Sequence, residues 1–187
     1  MPPHSGLYPQ PRIDMAGIVI ADAGPLIALA RIGHLALLCN LFGSVSVTSI
    51  VADEVLQGGD FPDGSVLSQA FSQTWLQRVN VDSPDQLSQA KNLMDLYQID
   101  PGEAGSMVLA RQAQAQGDQA LLVMDDLRGR NAAQHARLPV IGTTGVLLLA
   151  KRQGQVSHVK PLLLDLRQNG YFLSQRLIDS ALQQAGE

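Results

Sequence analysis

Short, almost continuous apolar runs alternate along the chain with longer stretches of helical periodicity. The runs end abruptly in polar residues, which is typical of strands buried on both faces of a parallel sheet. They predict five strands, at residues 17–21, 45–48, 75–81, 120–124 and 139–141. Strands that alternate with helices indicate right-handed βαβ units, so the predicted fold class is α/β, with a parallel sheet flanked by helices.

Capping residues mark where the helices between these strands begin. Ser83 and Asp100 each precede a proline and have Gln or Glu three residues later, which predicts helices that run to about Tyr97 and to about Gly117. An apolar helix is predicted from Leu26, and its pattern extends past Gly33 to Leu38. The remaining predictions are a loop over 58–64, helices over 146–152, 161–168 and 174–185, and a flexible tail over 1–16 before a single domain over 17–186.

Composition narrows the class of protein. Hydrophobic residues make up 45% of the 187 residues, enough for a core, and the 4% aromatic content makes that core aliphatic. The single Cys39 excludes an internal disulfide and a thiolate zinc cluster, and the four histidines lack the spacing of zinc ligands. No apolar run approaches the roughly 18 residues that span a bilayer, so we expect no membrane association and a cytoplasmic location.

Acidic residues recur where the predicted strands end. Asp22 follows the first strand and Asp125-Asp126 the fourth, while Glu54 and Glu103 lie early in neighbouring helices. Each alone has an ordinary explanation as a turn, cap or surface residue. Together they lie at the sheet edge where α/β proteins bind ligands, and they would repel one another without a cation. Oxygen ligands alone select Mg²⁺ or Mn²⁺, which can activate water for attack at phosphorus.

The charge balance changes once these acids are set apart. The net charge of −4, from 13 basic and 17 acidic residues, by itself argues against general nucleic-acid binding. Without the five candidate acids, 12 acidic residues remain against 13 basic ones, so the negative charge belongs to the site. Candidate nucleic-acid contacts are Arg128, Arg130, Thr143, Thr144, Lys151 and Arg152. A solvated helix surface explains any one of the basic residues equally well, and a tight turn explains the two threonines.

Several segments together resemble the PIN-domain ribonucleases, especially the VapC-like toxins and their uncharacterised relatives with a D-x-G-P-L-I start. The segments are IVIADAGPLIALARIG, VTSIVADEVL, DPGEAGSMVLA and LLVMDDLRGR, followed by VIGTTGVLLLAKRQG and GYFLSQRLIDSAL. The likeness covers about residues 17–186. Their order and spacing are specific, although no single segment is.

The resemblance implies a Rossmann-like sheet of order 3-2-1-4-5 and Mg²⁺- or Mn²⁺-dependent endonuclease activity on RNA. The first three acids of the family map onto Asp22, Glu54 and Glu103, and the fourth maps onto the Asp125–Asp126 pair, with the choice between the two left open. Glu in the third position and the doubled Asp depart from the family pattern. The metal-ligand set is then Asp22, Glu103, Asp125 and Asp126, and a Ser/Thr near the metal maps onto Thr143 or Thr144.

Three functions are open on the sequence. The first is a metal-dependent endoribonuclease, the toxin of a toxin–antitoxin pair, whose partners would be RNA, a small antitoxin and a second copy of the chain. The second is a catalytically inactive PIN-like module that binds RNA or protein. The third is a phosphotransferase or phosphatase with an Asp nucleophile at the end of the first strand. Gly24 disfavours it, because such enzymes usually carry a second Asp at that position.

Overall fold

A five-stranded parallel sheet lies at the centre of the computed structural model, which describes residues 17–57 and 63–187. The strands are β1 (Gly17–Ala21), β2 (Val45–Thr48), β3 (Leu76–Val79), β4 (Gln119–Val123) and β5 (Val140–Ile141). Their order is β3-β2-β1-β4-β5, and every neighbouring pair is parallel. The predicted fold class and strand order are confirmed.

Helices cover both faces of the sheet. They are α1 (Ala23–Arg31), α2 (Ala36–Phe42), α3 (Ser49–Gln57), α4 (Asp63–Ser72), α5 (Pro84–Tyr97), α6 (Pro101–Ala115), α7 (Leu127–His135), α8 (Thr143–Arg152), α9 (Lys160–Gln168) and α10 (Gln175–Ala185). Side chains alternate along β1, so that Val19 joins the core formed with α1–α4 and α8–α10. Ile20 joins a second core formed with α5–α7. Both cores are almost wholly aliphatic, as the composition predicts.

Three local predictions differ from the structure, apart from shifts of one or two residues at the ends of elements, such as β3 at Leu76–Val79 where a strand over 75–81 was predicted. The helix predicted to extend past Gly33 is two helices, because Gly33 has φ +68 and His34 N donates to Leu29 O at 2.8 Å, which ends α1. Helix α8 begins at Thr143 and not at Val146, so the threonine pair forms a first helical turn instead of a tight turn. Residues 63–64 of the predicted loop belong to α4. Residues 58–62 of that loop and the predicted tail over 1–16 lie outside the described residues.

Among the described residues, no single helix is long and apolar enough to cross a membrane. Helices α1 and α2 meet that test only as a pair, across a bend of 117°.

The register between β1 and β4 sets the position of the candidate site. Five residue pairs align the two strands, from Gly17 with Gln119 to Ala21 with Val123. The alignment continues one residue further, because Asp22 N donates to Val123 O at 2.9 Å. The polar residues that follow both strands therefore emerge at the same level of the same sheet edge.

The last three helices are held together by Glu187. Its side chain, 10% exposed, accepts from Lys151 Nζ at 2.6 Å, from Val159 N at 2.7 Å and from Lys160 N at 3.0 Å. Burial opposes ionisation, but these hydrogen bonds outweigh it and lower the pKa of Glu187 to about 2. The carboxylate thereby links the end of α10 to α8 and to the start of α9.

Candidate active site

Asp22 occupies the end of β1 and the N-cap position of α1. It is 9% exposed, and its side chain makes no hydrogen bond that caps α1. The carboxylate lies instead near the start of α6. A Cβ added to Gly102 would lie 3.5 Å from Asp22 Oδ1 and 3.3 Å from Asp100 Oδ1. Gly102 therefore lets two carboxylates approach each other across the first turn of α6.

Glu103 is buried on the same turn, and its two carboxylate oxygens have different surroundings. Its N–H donates to Asp100 Oδ1 at 2.8 Å, and Asp100 N donates to Glu103 Oε2 at 3.0 Å, which completes a capping box. Glu103 is 3% exposed, and no N–H donor of the described residues reaches its Oε1, while the carboxyl of Asp126 lies beside it. The capping interpretation of the sequence is confirmed, yet it accounts for only one oxygen. A buried acceptor that no N–H donor reaches indicates a site for a ligand.

Five acids at this edge lie close enough together for their charges to raise the pKa values of their neighbours. Burial, followed by repulsion from Asp100, Glu103 and Glu54, raises the pKa of Asp22 to about 7. Burial, together with repulsion from Asp100 and Asp126, raises the pKa of Glu103 to about 7 against the opposing hydrogen bond from the Asp100 backbone. Burial and Asp100 also raise the pKa of Glu54. Asp100, which the sequence suggested only as a helix cap, thus repels three of the candidate acids.

The two members of the Asp125–Asp126 pair have different surroundings. Asp126 is exposed and caps α7, where Oδ1 accepts from Arg128 N at 2.7 Å and from Gly129 N at 3.1 Å. It also lies near enough to Glu103 to raise the pKa of that carboxyl. Asp125 binds the start of α8, since Oδ1 accepts from Thr143 N at 2.8 Å and Oδ2 from Thr143 Oγ1 at 2.5 Å. Asp126 therefore lies beside Glu103, whereas the Asp125 carboxylate binds the start of α8.

Tyr171, in the segment between α9 and α10, was not among the sequence candidates. Its ring packs against the first core, and its hydroxyl lies close enough to Asp125 and Thr143 to be affected by both. Burial first, and then Asp125, raise the pKa of the Tyr171 hydroxyl. Arg130 lies close by, because a Cβ on Gly142 would meet Asp125 Oδ1 at 2.7 Å and Arg130 Nη1 at 3.2 Å. The sequence offered no signal for this contact, which joins positions 46 residues apart.

The other candidates for nucleic-acid contact fall into two groups. Arg128 is exposed and Arg130 half-buried on the first turns of α7, beside Asp126. Thr144 is half-buried in the first turn of α8, and Thr143 is fully buried against Asp125. The structure does not bring Lys151 and Arg152 to the acids. They lie in the last turn of α8, about 12 Å along the helix from Thr143, where Lys151 pairs with Glu187.

The acids at this edge suit a metal ion by their chemistry and not by a preformed arrangement. Within 17–57 and 63–187, no group of three or more His, Cys, Asp or Glu side chains is arranged to hold one. The chemistry of the donors nevertheless fits a hard cation, because they are all carboxylates and no N–H donor of the described residues reaches Glu103 Oε1. The pKa values of about 7 for Asp22 and Glu103 indicate repulsion that a cation would relieve.

Gly129 provides a test of how tightly α7 packs on Glu103. A Cβ at this position would lie 2.5 Å from both Glu103 Oε1 and Met124 Sδ. Helix propensity alone predicts that Gly129→Ala stabilises the protein by about 1 kcal/mol. We expect the opposite, a loss of about 1–3 kcal/mol in the free energy of unfolding, because the methyl group overpacks a buried contact. Denaturant unfolding measures the difference.

Gly24→Ala is the matched control for this substitution. Gly24 also lies in the first turn of a helix, but the nearest atom to its added Cβ would be Asp125 Cβ at 3.8 Å, an ordinary contact. This variant should be at least as stable as the wild type. An equal gain in stability for both alanines would contradict the close packing of Gly129 against Glu103.

Comparison with known proteins adds one match. The family model DUF3368, described as a PIN domain, matches residues 18–187. No curated protein and no solved structure shows a significant match. The matched region contains every candidate acid and all five strands except Gly17, the first residue of β1.

Proposed function

The chain belongs to the PIN-domain family, and on this basis we propose that it is a divalent-metal-dependent endoribonuclease that hydrolyses phosphodiester bonds of RNA. Nuclease-type function is general to PIN domains. The observation that carries the proposal is the pair Asp22 and Glu103, two buried carboxyls with pKa values of about 7 at the end of β1 and the start of α6. The retained acids disfavour an inactive binding module.

Asp22, Glu103 and Asp126, with Asp125 beside them, would hold Mg²⁺ or Mn²⁺. When bound, such a cation supplies an activated water and stabilises the charge that develops at phosphorus. The chain fixes the donors in advance, because the Asp100 N–H holds Glu103 Oε2, while the carboxyl lies beside Asp126 and no N–H donor of the described residues reaches Oε1. Near neutral pH, Asp22 and Glu103 each release a proton before they can act as anionic ligands.

Cleavage of a defined RNA tests the proposal. A single-stranded RNA and its duplex are incubated with the purified protein in Mg²⁺, in Mn²⁺ or in EDTA, and the product ends are sequenced. We expect internal cuts in the single strand that require metal and that Asp22→Asn does not make. Equal cutting by Asp22→Asn would assign the activity to a contaminant. Binding of RNA without cutting would favour the binding module.

Arg128 is the side chain best placed to hold RNA phosphate beside the acids, because it is exposed two residues after Asp126. Arg128→Ala should weaken RNA binding. It should also make the plot of the logarithm of the association constant against the logarithm of the salt concentration less steep by about 0.7, the value for one phosphate of a single strand. Fluorescence anisotropy over a series of salt concentrations measures both. Arg152→Ala, at the other end of α8, is the matched control and should leave the slope unchanged. An equal change in slope for Arg152→Ala would place the RNA across both ends of α8.

We also propose that the protein is a cytoplasmic toxin that pairs with a small antitoxin and forms a homodimer, which the resemblance to VapC-like toxins supports. Expression of the wild type should then stop cell growth, and expression of Asp22→Asn should not. A short open reading frame that abuts the gene is the candidate for the antitoxin, and its co-expression should restore growth. Growth that both proteins leave unaffected would oppose a toxin role without opposing RNA cleavage.

A further inference from the structure

Helices α5 and α6 begin with capping boxes that have the same hydrogen bonds and different charges. At the start of α5, Ser83 Oγ accepts from Gln86 N at 3.3 Å, and Gln86 Oε1 accepts from Ser83 N at 3.1 Å. At the start of α6, Asp100 and Glu103 make the corresponding hydrogen bonds at 2.8 Å and 3.0 Å. The neutral box shows that a cap in this protein requires an acceptor and not a charge. Capping therefore explains the position of Asp100 but not its charge.

Asp100 lies where the first turn of α6 meets the end of β1 and helix α3. A Cβ on Gly102, in the same turn, would lie 3.3 Å from Asp100 Oδ1, 3.5 Å from Asp22 Oδ1 and 3.0 Å from Val51 Cγ2. Val51 and Glu54 are three residues apart on α3 and therefore lie on the same face of that helix. The N-cap of α6 thus places the Asp100 carboxylate among acids that come from β1 and α3.

The charge of Asp100 is unfavourable for the fold at this place. A helix dipole favours a negative charge at the helix start, but Asp100 also repels Asp22, Glu54 and Glu103 and raises the pKa of each. Asn or Ser at this position would cap α6 without that repulsion. Asp100 is exposed, so a cation from solvent can approach its carboxylate. A charge that the cap does not need, beside acids that suit a hard cation, points to that cation.

We propose that Asp100 is a further metal-binding acid of this edge: its carboxylate caps α6 and also adds its charge to those of Asp22 and Glu103 in attracting Mg²⁺ or Mn²⁺. The inference rests on the proposed function and adds to it a residue onto which the resemblance to the family maps no acid. The capping box holds the two side chains together, because each accepts a hydrogen bond from the backbone of the other. The charge of Asp100 is therefore fixed beside the Glu103 carboxyl and does not depend on a mobile surface side chain.

The test removes the charge of Asp100 and keeps the cap. Asp100→Asn has nearly the same shape, and Asn caps a helix as well as Asp does. Asp100→Ser introduces the residue type that already caps α5. We expect Mn²⁺ binding, measured by isothermal titration calorimetry, to weaken about tenfold in both variants. The melting temperature of the metal-free variants at pH 8 should be equal to that of the wild type or higher, because the cap is kept and the repulsion is removed.

Ser83→Asp is the matched control, because it places the same acid in the capping box of α5. That box lies away from the acids, since Gln86 Nε2 donates to Gln112 Oε1, near the far end of α6, at 3.0 Å. The control should therefore bind Mn²⁺ with the affinity of the wild type. A change in affinity as large as that of Asp100→Asn would mean that any charge at a helix start has this effect, and it would overturn the proposal.

Two further results would overturn the role of Asp100. Wild-type Mn²⁺ affinity in both Asp100 variants would make the residue a helix cap only, and weaker binding together with a lower metal-free melting temperature would assign the effect to a lost cap. RNA cleavage by the same proteins separates this inference from the proposed function. A wild type that binds Mn²⁺ more tightly than Asp100→Asn but cuts no RNA contradicts the function and supports the inference, whereas a wild type that binds no Mn²⁺ overturns both.

Discussion

In the absence of divalent metal, Asp22→Asn should be more stable than the wild-type protein at pH 8. Burial and neighbouring acids raise the pKa of Asp22 from 3.8 to about 7, so the folded state holds a proton that the unfolded chain releases. The wild-type protein therefore loses stability as the pH rises from about 4 to about 7 and does not regain it above that range. The shift in pKa sets an upper limit of about 4 kcal/mol on the gain in the free energy of unfolding. We expect a gain of about 2 kcal/mol, because the amide that replaces the carboxyl is itself buried.

Melting curves with and without metal measure this effect. A gain of about 2 kcal/mol corresponds to a rise of about 4–8 °C in a protein of this size, and it should shrink toward zero near pH 4. Mg²⁺ or Mn²⁺ should raise the melting temperature of the wild type clearly and that of Asp22→Asn less. Asp165→Asn, on the exposed side of α9, is the control and should respond to metal like the wild type. An equal metal response of Asp22→Asn and the wild type would remove Asp22 from the site.

The fold was predictable because its strands are short, buried and bounded by polar residues. Runs such as residues 17–21 and 120–124 have no polar position that could face solvent, and such a pattern favours the interior of a parallel sheet. The strand order came from the resemblance and not from the pattern, since an apolar run contains no information on its neighbours. Gly33 shows where local pattern fails: the apolar periodicity continues through it, but a glycine with positive φ ends the helix.

The site was predictable only in part, because the sequence shows which residues follow a strand but not where their side chains point. Asp22 and Glu103 are brought together as expected. The Asp125–Asp126 pair divides between two helices, which adjacent identical residues could not reveal. Asp100 was explained by its capping role alone, although one carboxylate both caps α6 and repels the acids around it.

Contacts between distant parts of the chain determine the features of the site that the sequence did not predict. Tyr171 reaches Asp125 only because α9 and α10 fold back onto α8, an arrangement that no local motif encodes. Lys151 and Arg152 follow the fifth strand closely in sequence, yet a helix of ten residues carries them away from the sheet edge. Distance along a helix, and not distance along the sequence, decides which basic residues can meet a substrate at the acids.

Glu103→Gln should leave the protein folded and reduce RNA cleavage by about 100-fold or more. Gln suits the capping position, as the start of α5 already demonstrates: Gln86 Oε1 accepts from Ser83 N at 3.1 Å, in the same box that Glu103 forms with Asp100. The substitution therefore removes the charge of the acid without removing the cap. Because the pKa of Glu103 is raised to about 7, its loss should cost no stability in metal-free protein at pH 8.

Glu187→Gln makes the control informative, because Glu187 is also a glutamate whose side chain accepts backbone N–H hydrogen bonds, but its pKa is shifted in the opposite direction. The pKa of Glu187 is lowered to about 2, so its ionised form stabilises the fold above about pH 4.5, and that contribution is lost as the pH falls toward 2. Glu187→Gln should therefore lower the free energy of unfolding at pH 7 by about 1–2 kcal/mol and keep full cleavage below its melting temperature. Glu103→Gln should keep stability and lose cleavage. If Glu103→Gln folds normally and cleaves at the wild-type rate, Glu103 acts only as a helix cap, and its Oε1 has no part in the reaction.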